Sequence, residues 1–103
     1  MSWTNINQDD FGHVGKLTCK EDGVAADISS YTTRQFILTD PTGAATVKTA
    51  AFDTDGTNGV LAYTLIDGDI DMDGNWQVQA RIIKAGVEIT SDPLKFLVGP
   101  RLD

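Results

Sequence analysis

Four aspartates crowd into one short stretch of the chain, at the alternate positions Asp67, Asp69, Asp71 and Asp73, and Gly74 follows the last of them. The spacing of the last three matches the first half of a calcium-binding loop, in which carboxylates two residues apart converge on a hard cation. Calcium is therefore the ligand that this acidic corner would suit best.

The second half of such a loop is missing. The twelfth position counted from Asp69 is Ala80, where calcium loops carry a bidentate glutamate, and residues 76–82 have the pattern of a strand where a helix should begin. An extended chain would turn Ile70 and Met72 inward and leave the aspartates on a solvent-exposed face. We therefore expect no metal and no cofactor, with calcium at the three aspartates as the less favoured alternative.

The other residues with catalytic potential are isolated. A general base needs positioned partners, and the single histidine, His13, has none in a recognisable motif. The single cysteine, Cys19, alternates with Leu17, which is typical of a small buried apolar group. Asp53 and Asp55 stand in a turn that we expect their own side chains to cap. The sequence predicts no catalytic residues, and the protein is not expected to be an enzyme.

The segments on either side of the acidic corner are predicted to be strands. The first begins with Asn58-Gly59, a strong hairpin signal, and ends at Leu65 or Ile66. In the second, one face is apolar and the other polar: Trp76, Val78, Ala80 and Ile82 alternate with Gln77, Gln79 and Arg81. A period of two is typical of a half-buried antiparallel strand, so we expect Trp76 in the core.

The rest of the chain continues this pattern. Further strands are predicted at Phe11–Lys20 (with Phe11, Leu17 and Cys19 inward), Tyr31–Thr39, Ala44–Phe52 and Val87–Val98, with a short edge segment at Val24–Ile28. Turn signals recur about every ten residues, and no long segment has helical apolar spacing. The predicted fold is all-β, an immunoglobulin-like antiparallel β-sandwich of about seven strands.

Both ends of the chain are predicted to lie outside this sandwich. We assign residues 1–10 to an N-terminal arm, residues 11–98 to the sandwich and residues 99–103 to a C-terminal tail. Trp3 and Ile6 are large apolar side chains in a polar arm, and tryptophan is enriched at the centres of interfaces. They are interface candidates that would dock on their own domain or on a neighbour. We expect that deleting residues 1–10 leaves a folded domain but weakens assembly.

Length and charge limit the possible partners. A chain of 103 residues fits one domain. Fifteen acidic and eight basic residues give a net charge of −7, which repels phosphate backbones and anionic membrane surfaces. No run reaches the roughly 18 apolar residues of a membrane-spanning helix, and one cysteine cannot form a disulfide within the chain. We expect neither nucleic acid nor a membrane as partner.

A series of short motifs resembles, in its order, a family of small immunoglobulin-like domains from tailed-bacteriophage particles, which occur in baseplate, tail and neck proteins. The motifs span roughly residues 11 to 98. They are Asp22-Gly23, Asp27-Ile28-Ser29, Phe36 to Leu38 leading into Asp40-Pro41-Thr42-Gly43, Gly59 to Leu65, Asp67-Gly68-Asp69, and Gly74-Asn75-Trp76 followed by the alternating strand.

This resemblance implies a structural or assembly role in the virion, in the tail, baseplate or neck. It implies other virion proteins as partners, together with copies of the chain itself in a symmetric assembly, after synthesis in the host cytoplasm. No catalytic residues carry over from the family. The alternatives are a capsid-decorating or host-glycan-binding immunoglobulin-like domain and a small calcium-binding module.

Overall fold

The computed structural model describes residue 3, residues 6–21 and residues 23–100, and the regular elements among them are β-strands. No element in these ranges is a helix long and apolar enough to cross a membrane. The strands are β1 (Ile6–Asn7), β2 (Val14–Thr18), β3 (Lys20–Glu21), β4 (Val24–Ala25), β5 (Thr33–Thr39), β6 (Ala45–Thr49), β7 (Ala51–Phe52), β8 (Val60–Thr64), β9 (Gly74–Lys84), β10 (Val87–Thr90) and β11 (Leu94–Gly99).

The larger sheet is built around β9. One edge of β9 pairs antiparallel with β5, from Gln77 opposite Thr39 to Ile83 opposite Thr33, and β6 pairs with the far edge of β5. The other edge of β9 pairs with β11 over its first half and with β10 over its second half. β1 adds to β11 in parallel, so the sheet is mixed. We refer to it as the main sheet.

The segment predicted as one strand from Val87 to Val98 is divided into β10 and β11 at residues 91–93. Pro93 has no N–H to donate to a strand ladder. At the break, the Ser91 N–H donates to the Ala80 carbonyl at 2.8 Å, and the Ala80 N–H donates to the Ser91 hydroxyl at 2.9 Å. Because the serine side chain replaces a backbone acceptor, β9 continues through the break without an unpaired amide.

The second sheet has the order β2-β8-β7, and β3 and β4 form a separate two-stranded ladder. The weak strand predicted from Ala44 to Phe52 is two strands, β6 and β7, which lie in different sheets. Ala50 alone separates them. Ala50 is buried, and its N–H donates to the Arg34 carbonyl at 2.9 Å. The chain therefore passes from one sheet to the other at a small buried residue, which sequence periodicity did not reveal.

One cluster of buried side chains from both sheets forms the core. The predicted inward face of β9 is confirmed, because Trp76, Val78, Ala80 and Ile82 are all buried whereas Gln77, Gln79 and Arg81 are not. The main sheet also contributes Phe36, Leu38, Phe96 and Val98, and β8 contributes Leu61. Each such large side chain stabilises the fold by about 1.5–3 kcal/mol. The all-β class is confirmed, and the arrangement is consistent with a β-sandwich.

Trp3, an interface candidate in the sequence, is 3% exposed and lies in the core of its own domain. Its indole N–H donates to the Lys16 carbonyl at 3.1 Å, and its ring centroid is 5.1 Å from that of Phe96 and 5.8 Å from that of Phe36. A Cβ atom at Gly15 would overlap the Trp3 ring. The glycine in β2 therefore provides the space that the indole occupies.

Ile6, the other interface candidate, is 1% exposed and pairs with Val98 through β1. The described part of the predicted arm is thus integrated into the main sheet and the core, and its two apolar side chains are not accessible to a neighbour. Because Trp3 and Ile6 contribute to the core, we now expect that deleting residues 1–10 destabilises the domain. The tail predicted at residues 99–103 begins at the last residue of β11, and residues 101–103 lie outside the described residues.

The first predicted strand is shorter than expected. β2 begins at Val14, and Phe11, predicted to point inward, is 64% exposed. Gly12 adopts a φ of +88°, which interrupts the extended alternation between these two residues. The inward positions further along the strand agree better with the prediction, because Cys19 is buried and Leu17 is half-buried against the core.

A partly buried ion pair links the two sheets at the acidic corner. The Asp69 side chain is 3% exposed, and its Oδ1 lies 2.8 Å from Nζ of Lys48 on β6. Its Oδ2 accepts hydrogen bonds from the Tyr63 hydroxyl of β8 at 2.6 Å and from the Ile66 N–H at 3.0 Å. Burial alone would raise the pKa of Asp69, but these hydrogen bonds outweigh it and hold the pKa below its usual value. Burial and the neighbouring carboxylate raise the pKa of Tyr63.

We predict that Trp3→Ala lowers the free energy of unfolding by about 3–5 kcal/mol, because it leaves a cavity between β2 and the main sheet. Chemical denaturation would measure this loss. Phe11→Ala is the matched control, since Phe11 is an exposed aromatic of the same segment, and it should change stability by less than about 0.5 kcal/mol. Equal, small effects of the two substitutions would show that Trp3 does not support the core.

We predict that Asp69→Asn costs about 1.5–3 kcal/mol at neutral pH, because it removes the charged acceptor of three hydrogen bonds. A carboxylate with a lowered folded-state pKa stabilises the fold above its unfolded pKa, about 3.9, and loses this contribution as the pH falls through the folded-state pKa. The stability difference between the wild type and the variant should therefore shrink below about pH 4. Exposed Asp71→Asn is the control, and a pH-independent difference would contradict the role of the charge.

Candidate interaction surface

The three aspartates considered for calcium do not converge. Both oxygens of Asp69 already accept hydrogen bonds from donors of the protein, whereas Asp71 and Asp73 are exposed. Ile70 is buried and Met72 packs against the core, so the inward positions of this stretch are as predicted. Within the residues that the structure describes, no group of three or more acidic, histidine or cysteine side chains is arranged to hold a metal ion.

Three other aspartates hold turns together. Asp27, Asp40 and Asp55 each accept, through Oδ1, a hydrogen bond from the N–H and another from the hydroxyl of the residue two positions later; these residues are Ser29, Thr42 and Thr57. The side-chain hydrogen bond is the main reason why the pKa of each carboxyl is lowered. The predicted capping role is thus confirmed for Asp55, whereas Asp53 lies 3.1 Å from Nζ of Lys16.

The lone histidine and cysteine lie apart in the fold. His13 is half-buried, with Nε2 3.3 Å from Oδ2 of Asp10. Cys19 is buried, and burial raises the pKa of its thiol, which disfavours the reactive thiolate. Cys19 borders a groove of about 350 Å³ that runs between residues 17–20 and residues 89–92.

The side of the main sheet that faces away from the core is the broadest strand surface of the domain. We call it the outer face and define it by the residues that alternate with the core positions. They are Thr33, Gln35, Ile37 and Thr39 on β5; Ala45, Val47 and Thr49 on β6; Asn75, Gln77, Gln79, Arg81 and Ile83 on β9; Glu88 and Thr90 on β10; and Lys95 and Leu97 on β11.

Amides, threonines and apolar side chains dominate this outer face. Ile37 stands opposite both Val47 and Gln79 across the neighbouring strands, which gives an apolar strip beside a row of amides. Val47 is 48% exposed, and Leu97, at the other end of the face, is 66% exposed. Cross-strand pairs of this kind stabilise the sheet that carries the surface.

The outer face does not share the acidic character of the chain. It carries two cations, Arg81 and Lys95, and one acid, Glu88, whereas the whole sequence has fifteen acids and eight basic residues. Arg81 is further held by hydrogen bonds from Nε and Nη2 to Oε1 of Gln35, at 2.9 and 2.6 Å. Depletion of charge at the centre of a surface is a mark of protein interfaces. The sequence patterning of β9 indicated the polar half of this face but not its extent, which depends on which strands lie side by side.

Comparison with known proteins supports a viral role for this domain. No curated protein matches the chain. A family model described as the BppU N-terminal domain, where BppU is a phage baseplate upper protein, matches residues 5–103. The match includes every motif on which the resemblance to phage particle domains rested, and it covers nearly the whole chain. The chain therefore belongs to the BppU N-terminal domain family and is a phage baseplate-associated structural domain.

Proposed function

We propose that this domain is an immunoglobulin-like building block of the baseplate, which works by contacting other virion proteins, including copies of itself, through the outer face of its main sheet. The observation that carries this proposal is the composition of that face. It is broad, partly apolar and nearly free of acids on a chain with a net charge of −7. A surface with these properties is suited to be covered by another protein.

The order of the strands supports the immunoglobulin-like part of the proposal. In immunoglobulin sandwiches one sheet contains strands C, F and G and the other contains B, E and D. The order β5-β9-β10/β11 corresponds to C, F and G, and the order β2-β8-β7 corresponds to B, E and D. β6 takes the place of the additional strand next to C in variable-type domains. Seven of the described strands have four or more residues, as expected for this class.

The mechanism that we propose is geometric. β9 is hydrogen-bonded along both edges, and the core side chains of Trp76 and its alternate neighbours hold the opposite face in a fixed shape. A preorganised face loses little conformational entropy on binding. Single contacts of this kind are weak, but symmetric repetition in a ring of subunits multiplies them into a stable assembly. The acidic remainder of the surface keeps free subunits soluble and apart.

We also propose that the domain has no enzymatic activity. The thiol of Cys19 is buried and its pKa is raised, which disfavours the thiolate that a nucleophile needs. His13 lies 3.3 Å from Asp10, and it has no nucleophile as partner in a recognisable sequence motif. The alternatives of glycan and calcium binding receive little support from the site geometry. Trp3 and Trp76 are buried and cannot stack on a sugar, and the Asp69 carboxylate is already satisfied by the protein.

We predict that the double substitution Gln77→Glu and Leu97→Glu reduces incorporation of the domain into baseplates by about tenfold or more. An interface would desolvate two new carboxylates at a cost of several kcal/mol, and only the carboxylate at position 77 has a cation, Lys95, opposite it. Incorporation can be measured by assembling the variant with the other baseplate proteins and quantifying it in purified particles. Both positions are exposed, so the melting temperature should be nearly unchanged.

Thr64→Glu is the matched control, because Thr64 is an exposed strand residue of the second sheet. It should be incorporated like the wild type. Normal incorporation of the double variant, or an equal loss for Thr64→Glu, would contradict the assignment of the outer face as the contact surface.

A further inference from the structure

β6 is an edge strand of the main sheet, and half of its backbone groups point away from the sheet. The Ala50 N–H donates to the Arg34 carbonyl, and the Asp40 N–H donates to the Ala44 carbonyl. Hydrogen-bonded and non-hydrogen-bonded pairs alternate along an antiparallel ladder, so residues 46 and 48 of β6 are the ones that bond to β5 between these two pairs. The N–H and C=O groups of residues 45, 47 and 49 point outward from the free edge.

This edge has little of the usual protection against strand pairing. Edge strands commonly carry a proline, a bulge or a charged side chain, which points either outward or inward. β6 has the sequence Ala-Thr-Val-Lys-Thr, without proline, and pairs with β5 in unbroken register. Its single charged side chain, Lys48, lies on the inner side and is neutralised by Asp69 at 2.8 Å. Val47, at the middle of the strand, is an exposed apolar residue.

The other edges of the two sheets are protected or short. The edge formed by β10 and β11 is interrupted next to Pro93 and carries Glu88 and Lys95, and β1 covers the end of β11. On β2, the carbonyl of Lys16 accepts the indole N–H of Trp3. β7 has only two residues. Among the strands that the structure describes, β6 thus offers the most regular open edge.

We propose that β6 pairs antiparallel with β6 of a second copy of this chain, which joins the two main sheets into one continuous sheet. This inference rests on the proposed function and names the partner at one border of the outer face. An antiparallel pair of identical strands is self-complementary about a two-fold axis. With Val47 opposite Val47 of the second copy, Ala45 stands opposite Thr49, and Thr46 stands opposite Lys48.

Charge favours a second copy at this edge. Two chains of net charge −7 repel each other over most of their surfaces, but residues 45–49 contain no acid. Each Lys48 brings its own Asp69, so pairing brings two neutral ion pairs together rather than two bare cations. On the outer side, the strip formed by Ile37 and Val47 would continue directly into the same strip of the second copy. Apolar contact is therefore added to the backbone hydrogen bonds.

Val47→Pro tests the pairing without breaking the β5–β6 ladder, because the N–H that it removes points away from β5. Sedimentation velocity of the full chain over a range of concentrations should show a monomer–dimer equilibrium. Val47→Pro should weaken self-association about tenfold or more and leave the melting temperature within a few degrees of the wild type. Thr90→Pro, at an outward-pointing amide of β10, is the control and should dimerise like the wild type.

Oxidative cross-linking tests the register. Pairing centred on Val47 places the two Cα atoms about 5.5 Å apart, within the range that a disulfide spans. Val47→Cys should form a disulfide-linked dimer, whereas Val24→Cys, at a valine that is 68% exposed in another strand, should not. The wild type, whose single cysteine, Cys19, is buried, gives the background level of cross-linking. Equal cross-linking at both positions would overturn the proposed register.

A wild-type chain that stays monomeric at all concentrations would overturn the proposal. It would also be overturned if the chain captured a different baseplate protein and Val47→Pro abolished that capture, since β6 would then bind another partner. In both cases the outer-face variants separate the proposed function from the proposed pairing of β6 with a second copy. If Gln77→Glu with Leu97→Glu still prevents incorporation, the proposed function stands and only the second copy at β6 is wrong. If neither set of variants affects incorporation, the proposed function is wrong as well.

Discussion

The whole structure depends on the burial of one face of β9 while both edges of that strand are hydrogen-bonded. Trp76, Val78, Ala80 and Ile82 lie in the core, and β5 on one side and β10 with β11 on the other complete the ladder. Because a one-residue slip would move every core side chain of β9 to the solvent, this face fixes the register of the neighbouring strands. It also determines which residues are left on the outer face.

The outer face carries few charges because most of the acidic residues lie in the turns between strands. The aspartates stand mainly in turns, where their carboxylates accept hydrogen bonds from nearby N–H and hydroxyl groups, as at Asp27, Asp40 and Asp55. Asp69 differs because its side chain is only 3% exposed and connects Lys48 of the main sheet to Tyr63 of the second sheet. An acidic chain can thus present a nearly uncharged sheet face to a neighbour, with its negative charge displaced to the loops.

Local patterns in the sequence were sufficient for the features that depend on local physics. The period of two predicted the buried face of β9, and the cluster of turn residues around Asp53 and Asp55 predicted the capping by Asp55. Contacts between distant segments were not predictable. Trp3 occupies the space above Gly15, and a lone glycine in a strand does not reveal which side chain will fill its place. For this reason the sequence could not decide whether Trp3 and Ile6 dock on their own domain, where the structure places them, or on a neighbour.

Strand boundaries were missed where tertiary contacts override local pattern. The switch of sheets at Ala50 and the break at Ser91 both lie inside segments that read as continuous strands, and each depends on a hydrogen bond to another strand. The candidate surface also depends on contacts between strands that are distant in the sequence. Its polar residues on β9 were visible in the sequence, but the apolar strip of Ile37 and Val47 exists only because β5 lies between β6 and β9.

The central claim is that the outer face of the main sheet is covered in the assembled baseplate. Hydroxyl-radical footprinting of the free chain and of the chain within purified baseplates measures the accessibility of individual side chains and tests this claim directly. We predict that Leu97 and Val47 lose most of their reactivity on assembly, whereas Phe11 and Val24, which are also exposed apolar residues but lie elsewhere, keep theirs. Unchanged reactivity of Leu97 and Val47, with protection of Phe11 and Val24 instead, would contradict the account.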